Sequence, residues 1–143
     1  MTRLYAQSTR VPVSQTRGEI EQLLTRHHAK QFGTAVDYDG CRARVQFRID
    51  DRIVRFVIGL PDRTKLGDDA YAKAERQRWR ALLLVIKAKL ESITNGIETF
   101  DEAFLSHVVL PDDRTVGDIV RPQVAEMYTT GRMLKQLTAG DPS

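Results

Sequence analysis

In the stretch RARVQFRID, Arg42, Arg44 and Arg48 occupy alternate positions, with Gln46 completing the row. In an extended chain every second residue faces the same way, so these side chains share one side. Arg55, in the next apolar segment, falls on the same side once the two segments pair. A planar, permanently charged guanidinium suits phosphate oxygens, and a row of them suits a phosphate backbone. Arg42, Arg44, Arg48 and Arg55, supported by Arg76 and Arg80 from a later helical segment, form the candidate nucleic-acid-binding set. The aromatic residues Phe32, Tyr38, Phe47 and Phe56 fall on the other side, so stacking on bases is not expected there. Such a surface would hold DNA or RNA by its phosphates, with little sequence preference. The bland alternative is a solvated face whose arginines serve solubility and edge protection.

Other residues invite chemistry less strongly. LPDRTKLGDD from Leu60 and LPDDRTVGDI from Leu110 differ by little more than one aspartate. Asp62, Asp112 and Asp113 could offer oxygens to Mg²⁺, but no lysine or histidine stands at a telling spacing. Proline, aspartate and threonine in this order spell a turn, with Thr64 or Thr115 placed to cap the next helical segment. His27 and His28 are adjacent and so point about 100° apart on a helix, unlike an i, i+4 metal pair. They read as surface residues at a helix C-terminus. Cys41 reads as a buried structural thiol on the apolar face, and a single cysteine cannot form a disulfide within the chain. No glycine-rich phosphate loop, nucleophile elbow or paired-carboxylate signature is present. The expectation is a non-enzymatic protein with no catalytic residue, metal or cofactor.

The elements that must position these residues come from periodicity. Helical spacing of Ile20, Leu23 and Leu24 predicts a first helix from Ser14 or Thr16 to about His28, with Thr16 and Glu19 as a capping box. Phe32, Thr34, Val36 and Tyr38 alternate, then Asp39-Gly40 turns. Ala43, Val45, Phe47 and Ile49 alternate up to a second turn at Asp50-Asp51, and Val54, Phe56, Ile58 and Leu60 continue. Two-residue turns set Val36 against Ala43, Val45 against Phe56 and Phe47 against Val54, so one register satisfies three strands. Asp68 to Asn95 reads as a long helix with Trp79, Leu82, Leu83, Ile86, Leu90 and Ile93 on one side, and Leu84 and Val85 widen that stripe. Thr99 with Glu102 opens a short helix, and Thr115 a further helical stretch that Pro122 restarts and Gly131 breaks. The fold class is therefore α+β: helix, three-stranded antiparallel meander, long helix packed on one sheet face, then shorter C-terminal helices. Residues 1–13 read as a flexible arm, 14–137 as a single domain, and 138–143 as a frayed end.

The 143 residues are 41% hydrophobic and 29% charged with formal net charge +3, enough apolar content for a core and a mildly basic balance. No stretch has the apolar length of a signal peptide or membrane span, so the expected setting is cytoplasmic with no membrane partner.

RQRWRALLLVIKAKLESITNGIETFDEAFLSHVVLPDDRTVGDIV, from Arg76 to Val120, resembles an uncharacterised family of short proteins encoded by bacteriophages, prophages and related mobile elements. VRFVIGLPD, upstream, fits the same likeness, which covers about Thr9 to Val120. The resemblance implies a mobile-element setting and carries no catalytic residue onto this chain. The helix, three-strand, helix order is also similar in topology alone to double-stranded RNA-binding domains, with a first hairpin turn too short for their groove-reaching loop. Two functions stand open. One is an accessory protein binding nucleic acid through the arginine face. The other is a protein-interaction module, an inhibitor or assembly factor of a mobile element. It would bind itself or a host or phage protein through Leu84, Val85, Val124, Met127 and Tyr128.

Overall fold

A computed structural model describes residues 10–135. The predicted arm and tail fall largely outside that range. Helix α1 spans Val13–Arg26, strands β1 Gln31–Asp37, β2 Arg42–Ile49 and β3 Arg52–Gly59, and helix α2 Asp68–Thr94. A short helix α3, Phe100–Phe104, leads into a 3-10 turn, Leu105–His107, and helix α4 covers Val116–Thr130. The sheet is antiparallel in the order β1-β2-β3. This is the α+β architecture that periodicity predicts.

The expected register holds in full, with Val36 paired to Ala43, Val45 to Phe56 and Phe47 to Val54. One buried face made of every second residue leaves a strand no freedom to slip, because a one-residue shift would expose its whole apolar set. That face packs under α1 and α2. Ile20, Leu24, Val45, Phe47, Val54, Trp79, Ile86 and Phe104 are essentially sealed from solvent. Phe104 sits edge-on to both Phe47 and Phe56, with centroids 5.7 and 6.3 Å apart, which pins α3 to the sheet.

Several local expectations change. Helix α1 starts at Val13 behind Pro12, and Thr16 caps nothing: it is fully buried in the first turn. Proline at the N-cap fixes the entry backbone by itself, so the Thr16–Glu19 box is not used. The first hairpin loop spans Tyr38 to Cys41 between the paired Asp37 and Arg42. Cys41 takes the left-handed backbone there, φ 52°, and is only half-buried. Tyr38 lies in that loop and not on the core face; it is exposed, with the Arg63 guanidinium 4.5 Å above its ring. Thr64 does not cap α2, whose N-cap is Gly67. The capping boxes at Thr99 with Glu102 and Thr115 with Asp118 both form. Helix α4 runs through Pro122 without restarting and closes on Gly131, whose φ of 70° gives the left-handed stop.

The two LPD stretches are turns of related design. Asp62 Oδ1 accepts from the Thr64 backbone N–H at 2.9 Å, and Asp112 Oδ1 accepts from that of Arg114 at 3.1 Å. Asp113 is therefore the additional residue of the second stretch, and it adopts φ 71°.

Candidate functional site: the arginine face and helix α4

The sheet places Arg42, Arg44, Gln46 and Arg48 on the face away from the helical layer, as alternation requires. The arginines there are not equivalent. Arg42 is exposed and 3.7 Å from Asp37. Arg44 is exposed, and no hydrogen bond or ion pair engages it among the described residues. Arg48 is half-buried and donates to the Asp50 carbonyl at 3.1 Å.

Arg55 departs most from expectation. It is only 9% exposed. Its Nε donates to Gln46 Oε1 at 3.0 Å, Nη1 to the Asp113 carbonyl at 2.8 Å, and Nη2 to Asp113 Oδ1 at 2.6 Å. The additional aspartate of the second LPD stretch thus ties the loop before α4 to the sheet. A guanidinium committed to three acceptors is a structural fastener, and it leaves the phosphate-contacting set.

Arg76 and Arg80 do not extend the face either. They belong to α2, which packs with α1 on the opposite side of the sheet. Arg80 pairs with Glu19 of α1 at 2.8 Å. Its neighbours behave alike: Arg78 donates to the Gly59 carbonyl and Lys89 to the Ala103 carbonyl. Long basic side chains bordering an apolar seam here fasten α2 to its surroundings.

What remains on the arginine face is a groove of about 610 Å³ between the sheet and the start of α4. Arg42, Arg44, Arg55 and Arg121 line it, with His107 at its floor. Three of these four guanidiniums already face a carboxylate, Arg42 with Asp37, Arg55 with Asp113 and Arg121 with Asp118. The groove is guanidinium-rich but close to charge-balanced. His107 stacks on Phe56 at 4.0 Å. Its Nδ1 lies 3.2 Å from the Arg55 carbonyl, so Nδ1 carries the proton and donates. Burial, aided by Lys89 and Arg121, lowers its pKa, against a smaller opposing effect of the hydrogen bond.

Helix α4 is the second surface. Its N-terminus is held tightly: Thr115 and Gly117 are buried, and a Cβ at Gly117 would meet the Ser106 carbonyl oxygen at 2.8 Å. Beyond Gly117 no residue of α4 is buried. Yet Val120, Val124 and Tyr128 stand at four-residue spacing, exposed by 40%, 38% and 87%, with half-buried Met127 beside them. Residues so spaced lie on one face. Leu84 and Val85 are also exposed, but on α2, which packs on α1, β3 and α3, whereas α4 packs on the 3-10 turn. The expected interface residues therefore fall on two different elements.

Among the described residues no group of histidine, cysteine, aspartate and glutamate side chains is arranged to hold a metal, and no helix is long and apolar enough to cross a membrane. No family model, no curated protein and no solved structure matches the chain.

Proposed function

We propose that this chain is a small accessory protein of phage or prophage type that works by binding another protein through helix α4. One observation carries the reading: a helix of 15 residues lines up Val120, Val124 and Tyr128 on one face, each of them exposed among the described residues. Helices of this length gain most of their stability from packing an apolar face. Scattered exposed apolar residues are ordinary, but a contiguous stripe on a projecting helix marks an interaction site. Anchors at i, i+4 and i+8 are those of a helix laid into an apolar groove. The partner accordingly offers a groove lined with apolar side chains. Replacing Val124 and Tyr128 with glutamate should abolish capture of that partner while the circular dichroism spectrum and melting temperature stay unchanged. Equal capture by the variant contradicts the reading.

Nucleic-acid binding is the second reading, favoured by the guanidinium-rich groove. Its contacts reduce to Arg42, Arg44 and Arg121, with Arg48 at the margin. Charge balance within the groove makes it the weaker of the two. A salt series with labelled DNA and RNA tests it, because each phosphate engaged steepens the fall of affinity with salt. Affinity that Arg44→Glu leaves unchanged removes it.

A further inference from the structure

The two edges of the sheet are treated differently. The outer edge of β3 is covered: Val54 bridges to Val108, and the Val109 N–H donates to the Ile53 carbonyl at 2.8 Å. Nothing comparable reaches β1 among the described residues. Open edges normally carry a lysine, a proline or a bulge that discourages pairing. From Gln31 to Val36, QFGTAV, β1 has no charge and no proline, and its register with β2 runs unbroken.

The hydrogen-bond phase identifies the groups that point outward. The Ile53 carbonyl turns outward to the Val109 N–H at 2.8 Å, and the carbonyl of its β2 partner Arg48 accepts from the Lys30 N–H at 2.7 Å, so Arg48 and every second residue of β2 before it turn their backbone away from β3. Arg42, Arg44, Gln46 and Arg48 therefore turn theirs toward β1, where they meet Asp37, Ala35, Gly33 and Gln31. Phe32, Thr34 and Val36 are left with N–H and C=O directed away from the sheet. Their side chains are only half-buried, because the helical layer stops short of this margin.

We infer that β1 pairs antiparallel with β1 of a second copy of this chain, about a two-fold axis at Thr34. That alignment makes Thr34 face Thr34, and Phe32 face Val36 of the second copy, so every outward backbone group finds a partner in the hydrogen-bonded phase. The two half-buried apolar side chains cover each other. The strand is also complementary to its own reverse in charge. His28 and Lys30 precede it and Asp37 and Asp39 end it, so antiparallel apposition sets each basic end against an acidic one. On the other face Gln31 meets Asp37 of the second copy. The product is one six-stranded sheet with α1 and α2 of both copies on one side and Arg42 and Arg44 of both copies on the other. This dimer is independent of the α4 surface.

The test is sedimentation equilibrium of the full chain over a concentration series, with hydrogen exchange at the same concentrations. Wild type should pass from monomer to dimer, with the Phe32, Thr34 and Val36 amides gaining protection. Thr34→Pro removes an outward N–H and no β1–β2 hydrogen bond, so it should fold normally and weaken the dimer by at least about tenfold. Thr34→Lys sets two cations face to face and should act alike, guarding against a folding defect peculiar to proline. Val124→Glu should leave the dimer intact, which separates this inference from the role of α4. A monomer at every concentration would falsify the inference. So would a dimer that both Thr34 variants leave unchanged, or one that Val124→Glu dissolves.

Discussion

Arg55 is the residue whose replacement most sharply separates a structural arginine from a ligand-binding one. Arg55→Ala removes hydrogen bonds to Gln46, to the Asp113 carbonyl and to the Asp113 carboxylate. The first two are worth about 1 kcal/mol each in net stability. The Asp113 side chain is 82% exposed, so solvent screens the ion pair and it adds only about 0.5 kcal/mol. Removing the stem from a site that is 9% exposed adds a packing loss offset in part by local collapse. The sum is about 2–3 kcal/mol. Urea denaturation read by tryptophan fluorescence would report it through Trp79, the chain's one tryptophan. With a slope of about 2 kcal/mol per molar urea, the midpoint should drop by about 1–1.5 M. Asp113→Ala leaves Arg55 its bonds to the backbone carbonyl and Gln46, and should cost less than half as much. Arg44→Ala, an exposed and unengaged control, should stay within about 0.5 kcal/mol of wild type. An Arg55→Ala midpoint indistinguishable from that of Arg44→Ala would refute the reasoning and return Arg55 to the phosphate-contacting set.

The same geometry fixes three further outcomes. Gly117→Ala gains helix propensity but drives a methyl into the Ser106 carbonyl, so it should destabilise the chain by about 1–2 kcal/mol, read in the same urea assay; a stabilised variant would mean α4 is not seated there. Thr115→Ala should cost about 1 kcal/mol and fray the start of α4, detectable as faster amide exchange at Asp118. His107 has its pKa depressed in the fold, so its contribution is complete above the ordinary histidine value and is lost as pH falls from about 6.5 toward the folded value; stability measured from pH 8 to 5 should decline on the acid side, and less so in His107→Phe.

The register and the core are legible in the sequence because three strands repeat one alternation and admit one alignment. The Thr99 capping box is legible because the threonine stands three residues before an acidic partner, and Thr115 is legible as a cap. The Thr16 box meets the same rule and fails, since Pro12 starts the helix earlier and buries Thr16 in its first turn. The fate of Arg55 cannot be read locally, because its partner Asp113 lies 58 residues further along the chain. A signal does exist: the two LPD stretches differ by one aspartate, and that aspartate makes the contact. Arg78, Arg80 and Lys89 of α2 resemble a surface in the sequence but are fasteners, a distinction that only the neighbouring carbonyls and Glu19 reveal. Tyr38 continues the alternation, but the hairpin loop begins at that residue and turns it away from the core. The α4 stripe is visible in part, as Val124, Met127 and Tyr128. Val120 joins it because Pro122 is accommodated in an unbroken helix.

The exposed stripe of α4 as a docking surface for another protein is the central claim. The most direct measurement is site-specific photo-cross-linking of the full chain in the cells that express it. The reactive group is placed at Val124 or Tyr128 and, for comparison, at Ala125 or Thr129 on other faces of the helix. A docking stripe predicts a discrete cross-linked species containing a second, different protein from Val124 and Tyr128, and none from Ala125 or Thr129. No species from the stripe, or equal labelling from every face, would contradict it.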